Sequence, residues 1–137
     1  MLLGLAYYLA QNPDQWRRLK EDRSLVKTAI EETLRLVTPA RAFLRYVSKD
    51  VEIHGQQMKK GEHAYLMYWA ANRDPEIFED PHKFDVGRKN APRHLAFGAG
   101  PHVCLGARLA RMEAAITLNA MLDKFERNRP ISTAADA

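Results

Sequence analysis

The run Phe97-Gly98-Ala99-Gly100-Pro101-His102-Val103-Cys104-Leu105-Gly106 constrains this chain more than any other stretch. It holds the only cysteine among 137 residues. Three glycines, a proline and a histidine frame the thiol, and a long amphipathic pattern follows it. The glycines let the backbone come close to a large flat object. A sulfur just ahead of a helix N-terminus lies in a field that favours the anion over the thiol. A thiolate carried on a tight glycine loop suits iron as an axial ligand. In an arbitrary context a lone cysteine is instead a small buried apolar residue without chemistry, and that reading stands beside the first.

Other glycine and cysteine motifs are excluded by single positions. A dinucleotide fingerprint starting at Gly98 needs a glycine at 103, where Val103 stands. No Gly-Lys-Ser/Thr occurs. One cysteine permits neither a cysteine-rich zinc site nor an internal disulfide. The histidines at 54, 63, 82, 94 and 102 show no helical metal-ligand pairing. His54 and His63 read as surface or turn residues.

A hydrophobic fraction of 46% with 28% charged residues describes a soluble globular chain of one-domain size. The net charge of +4 admits an acidic partner. The basic residues are not gathered in one run, so they read as a solvated face and no nucleic-acid partner is expected. Met1 to Ala10 is apolar but too short to cross a bilayer and lacks the basic start of a secretory signal, so no membrane is expected. It reads as the second half of a buried helix. A single free cysteine without an export signal predicts the cytoplasm.

The pattern predicts helices over Leu2–Gln11, Asp14–Glu21 (after Asn12-Pro13) and Leu25–Val37, the last capped by Ser24 and stopped by Pro39. Trp16, Leu19, Val26, Ile30 and Leu34 should face the core. Strands are expected over Phe43–Val47, Val51–Ile53 and His63–Tyr68, with turns at His54-Gly55 and Lys60-Gly61. Two short helical turns are expected at Asp74-Pro75 and Asp80-Pro81, then a long functional loop from Asp85 to Val103. A final helix from Leu105 to Glu126 should present Leu105, Leu109, Met112 and Ile116 on one face. Residues 128–137 should be a disordered tail.

The pattern Phe-x-x-Gly-x-His-x-Cys-x-Gly resembles the haem-binding loop of the cytochrome P-450 family. Two further segments share the resemblance. Glu32 and Arg35 form a Glu-x-x-Arg on the third predicted helix, where the family carries one. By itself that spacing is only a surface ion pair, and Glu126 with Arg129 fits it equally well. Phe84-Asp85-Val86-Gly87-Arg88 resembles the segment that supplies a third, arginine member, so Arg88 is the candidate. Asn72-Arg73-Asp74-Pro75-Glu76-Ile77-Phe78 and Leu109-Ala110-Arg111-Met112-Glu113 also resemble bacterial members.

The resemblance, over Met1 to about Phe125, implies a mainly α fold with small β-sheets, the C-terminal part of a P-450 domain over residues 1–127 rather than a complete domain. It implies haem b, with Cys104 on the iron and Phe97, Gly98, Gly100 and Gly106 shaping the loop. Arg45 and His102 would meet the propionates; otherwise Arg45 is a solvent-facing residue on an edge strand. Ala40, Arg41, Ala42 and Phe43 resemble a substrate-pocket segment. Arg108 and Arg111 would face an electron donor or simply water. The implied reaction is O2-dependent oxidation of a small apolar organic substrate, with electrons from a ferredoxin or flavoprotein. The family's oxygen-activating acid–alcohol pair lies upstream of the matched region, so the isolated chain is expected to be a poor oxygenase. The alternative is a non-catalytic haem-binding module or an inactive remnant.

Overall fold

The computed structural model describes residues 1–126. The expected tail over 128–137, together with residue 127, lies outside the described residues.

Three helices open the chain: α1 (Leu2–Gln11), α2 (Pro13–Glu21) and α3 (Val26–Val37). Asn12 separates the first two by turning back, its Nδ2 donating to the Tyr8 carbonyl at 2.7 Å. Pro13 then starts α2, where its missing N–H costs nothing. Ser24 does not cap α3 as expected. Asp22 does the work one turn earlier, its carboxylate accepting from the Ser24 N–H at 2.9 Å and opening a 3-10 turn over Arg23–Leu25. Thr38 ends α3 in a left-handed conformation (φ 38°), which turns the chain away before Pro39.

The middle is two antiparallel hairpins. Strand β1 (Phe43–Tyr46) pairs with β4 (His63–Leu66), placing Arg45 opposite Ala64. Between them β2 (Val51–Ile53) pairs with β3 (Gln56–Met58) through the His54-Gly55 turn, both residues having positive φ. The triplet Gln56-Gln57-Met58 has no apolar alternation to signal a strand, and its ladder comes from the turn that precedes it. The third expected strand stops at Leu66, and Tyr68 begins the four-residue α4 (Tyr68–Ala71) instead. At Asp74-Pro75 the chain makes a single helical turn, the Ile77 and Phe78 N–H groups both donating to the Asp74 carbonyl, and at Asp80-Pro81 a tighter turn closed by the Lys83 N–H on the Asp80 carbonyl.

After a long loop with 3-10 turns at Ala91–Arg93 and Gly100–His102, the chain ends in α5 (Ala107–Lys124). The core joins Leu5 and Leu9 of α1, Trp16 and Leu19 of α2, Val26, Ile30 and Leu34 of α3, and Ala114, Leu118 and Leu122 of α5. The expected apolar face of α5 is the wrong one. Leu105, Leu109, Met112 and Ile116 are exposed, Leu105 fully. The helix has two apolar sides, so periodicity alone offers two solutions. The core uses the side where fully buried Ala114, together with Ala29 of α3, permits close approach.

Candidate functional site

Arg35 is fully buried on α3, and its charge is matched without any solvent. Its Nε and Nη2 bind both oxygens of Glu32, at 2.8 and 2.9 Å. Its remaining donors reach the carbonyls of Asn72 (2.8 Å), Pro81 (2.6 Å) and Lys83 (3.2 Å). Arg88 adds a second guanidinium, Nε to Glu32 Oε1 at 2.9 Å, and spends its other donors on the carbonyls of Glu79, Asp80 and Lys83. Glu32, Arg35 and Arg88 therefore come together, and they tie α3 to both ends of the 72–88 segment. A planar fork suits this role, because it can satisfy a carboxylate and several carbonyls at once.

Cys104 is exposed and lies on the wall of an open cleft of about 600 Å³. Ala40, Phe43, Arg45, Tyr68, Ala96, Phe97, Gly98 and His102 complete the lining. The loop closes on itself: the Cys104 N–H donates to the Phe97 carbonyl at 2.9 Å. Gly98 and Gly100 hold φ of 72° and 70°, a region L side chains rarely adopt. Gly106 lies beside the sulfur, since a Cβ there would stand 3.9 Å from Sγ. Arg45 is exposed on β1, its Nη1 on the Leu44 carbonyl and its guanidinium 5.9 Å from the Phe43 ring. The edge-strand and cleft readings of Arg45 thus describe one position. Of the segment 40–43, Ala40 and Phe43 line this cleft. Arg41 lines a separate, smaller cleft with Trp69, Arg73 and His82, while Ala42 lines neither. Tyr68 also lines the cleft, a role its position at the end of an expected strand does not signal.

Sequence reasoning also missed a second buried carboxylate, next to the first. Glu31 Oε1 and Oε2 accept from Arg111 Nε (2.6 Å) and Nη2 (2.9 Å), and Oε2 also meets His94 Nε2 at 3.0 Å. Arg111 is therefore engaged within the fold while its side chain keeps 38% exposure, and Arg108 is exposed. The signal was present as two adjacent glutamates on α3, but nothing in local spacing connects Glu31 with residues 63 and 80 positions away.

This arrangement has a pH consequence. Burial raises the Glu31 carboxyl, but the hydrogen bonds from His94 and Arg111, with the Arg111 charge, outweigh it and bring the pKa from 4.5 to about 2. A depressed folded value means stabilisation that is complete above the unfolded pKa and is lost as pH falls toward the folded one. The loss falls between pH 4.5 and about 2. It amounts to on the order of 3 kcal/mol. Urea unfolding of wild type and Glu31→Gln across this window should show the wild type losing more stability on acidification. Parallel profiles would contradict the assignment.

The residues fit a haem. Among the described residues no three His, Cys, Asp or Glu side chains cluster to hold a metal. The Cys104 sulfur on the cleft wall would instead hold the iron of a haem, whose remaining protein-independent ligands come from the macrocycle itself. Apolar Phe43, Ala96 and Phe97 suit the faces of such a ring, and cationic Arg45 offers a counter-charge for carboxylates on its edge.

The cytochrome P450 family model matches residues 7–133. Biotin biosynthesis cytochrome P450 of Bacillus subtilis is 47% identical over 117 residues, covering 85% of this chain and 29% of that protein. Steroid C26-monooxygenase of Mycolicibacterium smegmatis is 46% identical over 123 residues, covering 89% and 28%. The structure of cytochrome P450-153 from Novosphingobium aromaticivorans superposes with a TM-score of 0.90 at 41% identity, over 95% of this chain and 33% of that one. A P450 solved with acyl carrier protein ligated to hexadec-9Z-enoic acid gives 0.85 at 44% identity, over 89% and 32%. The chain spans about a third or less of the length of these relatives and corresponds to a C-terminal portion of their fold. The family is one of haem-binding monooxygenases. The family match covers most of the chain, from within α1 through the cysteine loop and α5, and with identities of 46–47% it means that the chain belongs to the cytochrome P450 family.

Proposed function

We propose that this chain forms the thiolate side of a haem-thiolate monooxygenase site, with Cys104 as the iron ligand and haem b as the cofactor. One observation carries the reading: the only cysteine opens onto an apolar cleft whose walls also hold Arg45 and His102. Haem bound there would supply O2 activation and transfer of one oxygen atom into an unactivated substrate bond, with two electrons from a ferredoxin or flavoprotein.

The chain's own residues do the holding. Cytochromes P450 are themselves the type case of a thiolate that pushes electron density through iron, and Cys104 takes that part. Arg45 offers a planar fork to one propionate and His102 a donor to the other. Phe97, Gly98 and Gly100 shape the wall against the ring, and Gly106 keeps the space beside the sulfur clear. Glu32, Arg35 and Arg88 hold the 72–88 segment that leads into the loop. Ala40 and Phe43 supply apolar surface suited to a small apolar organic substrate.

The relatives are about three times as long, and the chain matches only part of their fold. Leu3 and Tyr7 on α1, Leu105 just ahead of α5, and Leu109, Met112 and Ile116 on α5 form exposed apolar faces of the kind that a larger assembly covers. The isolated chain should therefore show little or no oxygenase activity. The same faces favour a second reading, a non-catalytic haem-binding module or inactive remnant.

Haem titration followed by a reduced carbon monoxide difference spectrum separates the readings. We expect saturable binding and a thiolate-type band. A displaced band would remove Cys104 from the iron, and absence of any band would leave the remnant. Haem-dependent product formation by the purified chain, given NAD(P)H and a donor, would overturn the expectation of low activity.

A further inference from the structure

We propose that Glu31, His94 and Arg111 are positioning residues that clamp the cysteine loop, separately from the Glu32 network. The proposal deepens the haem-thiolate reading and rests on it for its consequence at the iron.

Neighbouring carboxylates of α3 divide the work. Glu32 serves residues 79–88 through Arg35 and Arg88. Glu31 serves the stretch that begins at His94. Both Glu31 and His94 side chains are at least nine-tenths buried, at 5% and 2% exposure. The His94 ring is bound at both nitrogens. Its Nδ1 accepts from the Ala96 N–H at 3.1 Å, so the proton sits on Nε2, where it is donated to Glu31. Arg111, from α5, lies across the Phe97 ring with its guanidinium carbon 4.6 Å from the centroid. Its place there is set by its bidentate contact with Glu31.

Three residues before the glycines are thus pinned by one carboxylate. His94 is held by its ring, Ala96 through its N–H, and Phe97 by its face. Leu95 between them is held from elsewhere, its N–H on Asn72 Oδ1 at 2.7 Å. Phe97 passes the constraint on, because its carbonyl accepts the Cys104 N–H. The glycines that follow are free to choose many conformations. A sulfur on such a loop keeps its direction only if the loop's ends are fixed, and Phe97 is the fixed point facing it. The other end is also tied to Glu31, since Arg111 is one turn into α5.

The test uses amide hydrogen exchange on the cofactor-free chain, then the carbon monoxide difference spectrum on the haem-loaded chain. For Arg111→Gln and His94→Leu we expect the Cys104 and Ala96 amides to exchange about tenfold faster, the lower end of what a charged hydrogen bond contributes. Amides in the middle of α1 and α3 should change less. Equal acceleration everywhere would reduce the clamp to general stability and overturn the proposal, as would no local change. Arg111→Lys keeps the charge but loses the bidentate contact and ring cover. It should show the same local effect in milder form and decides the matter if either first variant fails to fold. After haem loading, the variants should convert part of the thiolate-type band to the displaced form, whereas an unchanged band ratio would overturn the positioning role. If wild type itself gives no thiolate-type band, the haem reading fails while the exchange data still decide the clamp.

Discussion

Replacing Arg35 with alanine is expected to destabilise the fold by about 3–5 kcal/mol, the cost of breaking a fully buried ionic network by removing one member. Glu32 would be left charged at zero exposure with only Arg88 and the Asp85 N–H to answer it. The carbonyls of Asn72, Pro81 and Lys83 would lose a common donor. Domains of this kind carry only about 5–15 kcal/mol in total. The variant should therefore unfold at much lower urea concentration, with little cooperative transition left. Arg35→Lys should rescue it only in part, since an ammonium cannot span both Glu32 oxygens and three carbonyls. Replacing Glu32 and Arg35 together by apolar residues would also fail to restore stability. An isolated buried pair can tolerate that exchange, but here the Asn72 and Pro81 carbonyls would lose their donor and Arg88 Nε its carboxylate. A loss below about 1 kcal/mol for Arg35→Ala would show that the network is peripheral to stability.

Cys104→Ser is expected to do the reverse: remove function and leave the fold alone. The side chain is exposed, and its backbone N–H keeps the bond to Phe97 whatever the side chain is. Surface changes of this size stay within about 0.5 kcal/mol. In the haem-loaded chain, however, the thiolate-type band should vanish entirely, because an alcohol is not deprotonated by the means that serve a thiol. Urea unfolding of the cofactor-free variant and the difference spectrum of the loaded one make a matched pair of measurements. A surviving thiolate-type band would place the ligand elsewhere. A collapsed apo fold would mean that Cys104 is a packing residue after all.

These expectations draw on parts of the chain that differ in how readable they are. Helices α1, α2 and α3 follow from periodicity, from Pro13 and from the apolar stripe of Val26, Ile30 and Leu34, all of which are buried. Such elements are written locally, because a turn of helix compares residues three and four apart. The cysteine loop was legible for a related reason. Glycines with positive φ, a proline and a thiol within ten residues state their geometry without help from the rest of the chain.

What failed involved choices between local options. Strand β3 has no apolar alternation and exists because a turn at His54-Gly55 presents it to β2. The two faces of α5 look alike to any periodicity count, and only α3 lying against it selected Ala114, Leu118 and Leu122. Glu31 and Glu32 are chemically identical neighbours. The family resemblance assigns Arg88 to Glu32, but the His94 and Arg111 partners of Glu31 appear only when the long loop and α5 are laid against α3.

From the order of residues alone came the helices, the hairpin turns, the thiol on its glycine loop and the family they resemble, because each is set by neighbours in the chain. Only the tertiary structure decided which side of α5 is core, that Glu31 takes His94 and Arg111, and that Tyr68 joins the cleft of Cys104, Arg45 and His102. Those depend on contacts across tens of residues, where burial removes water and makes every unpaired charge costly enough to dictate its partner.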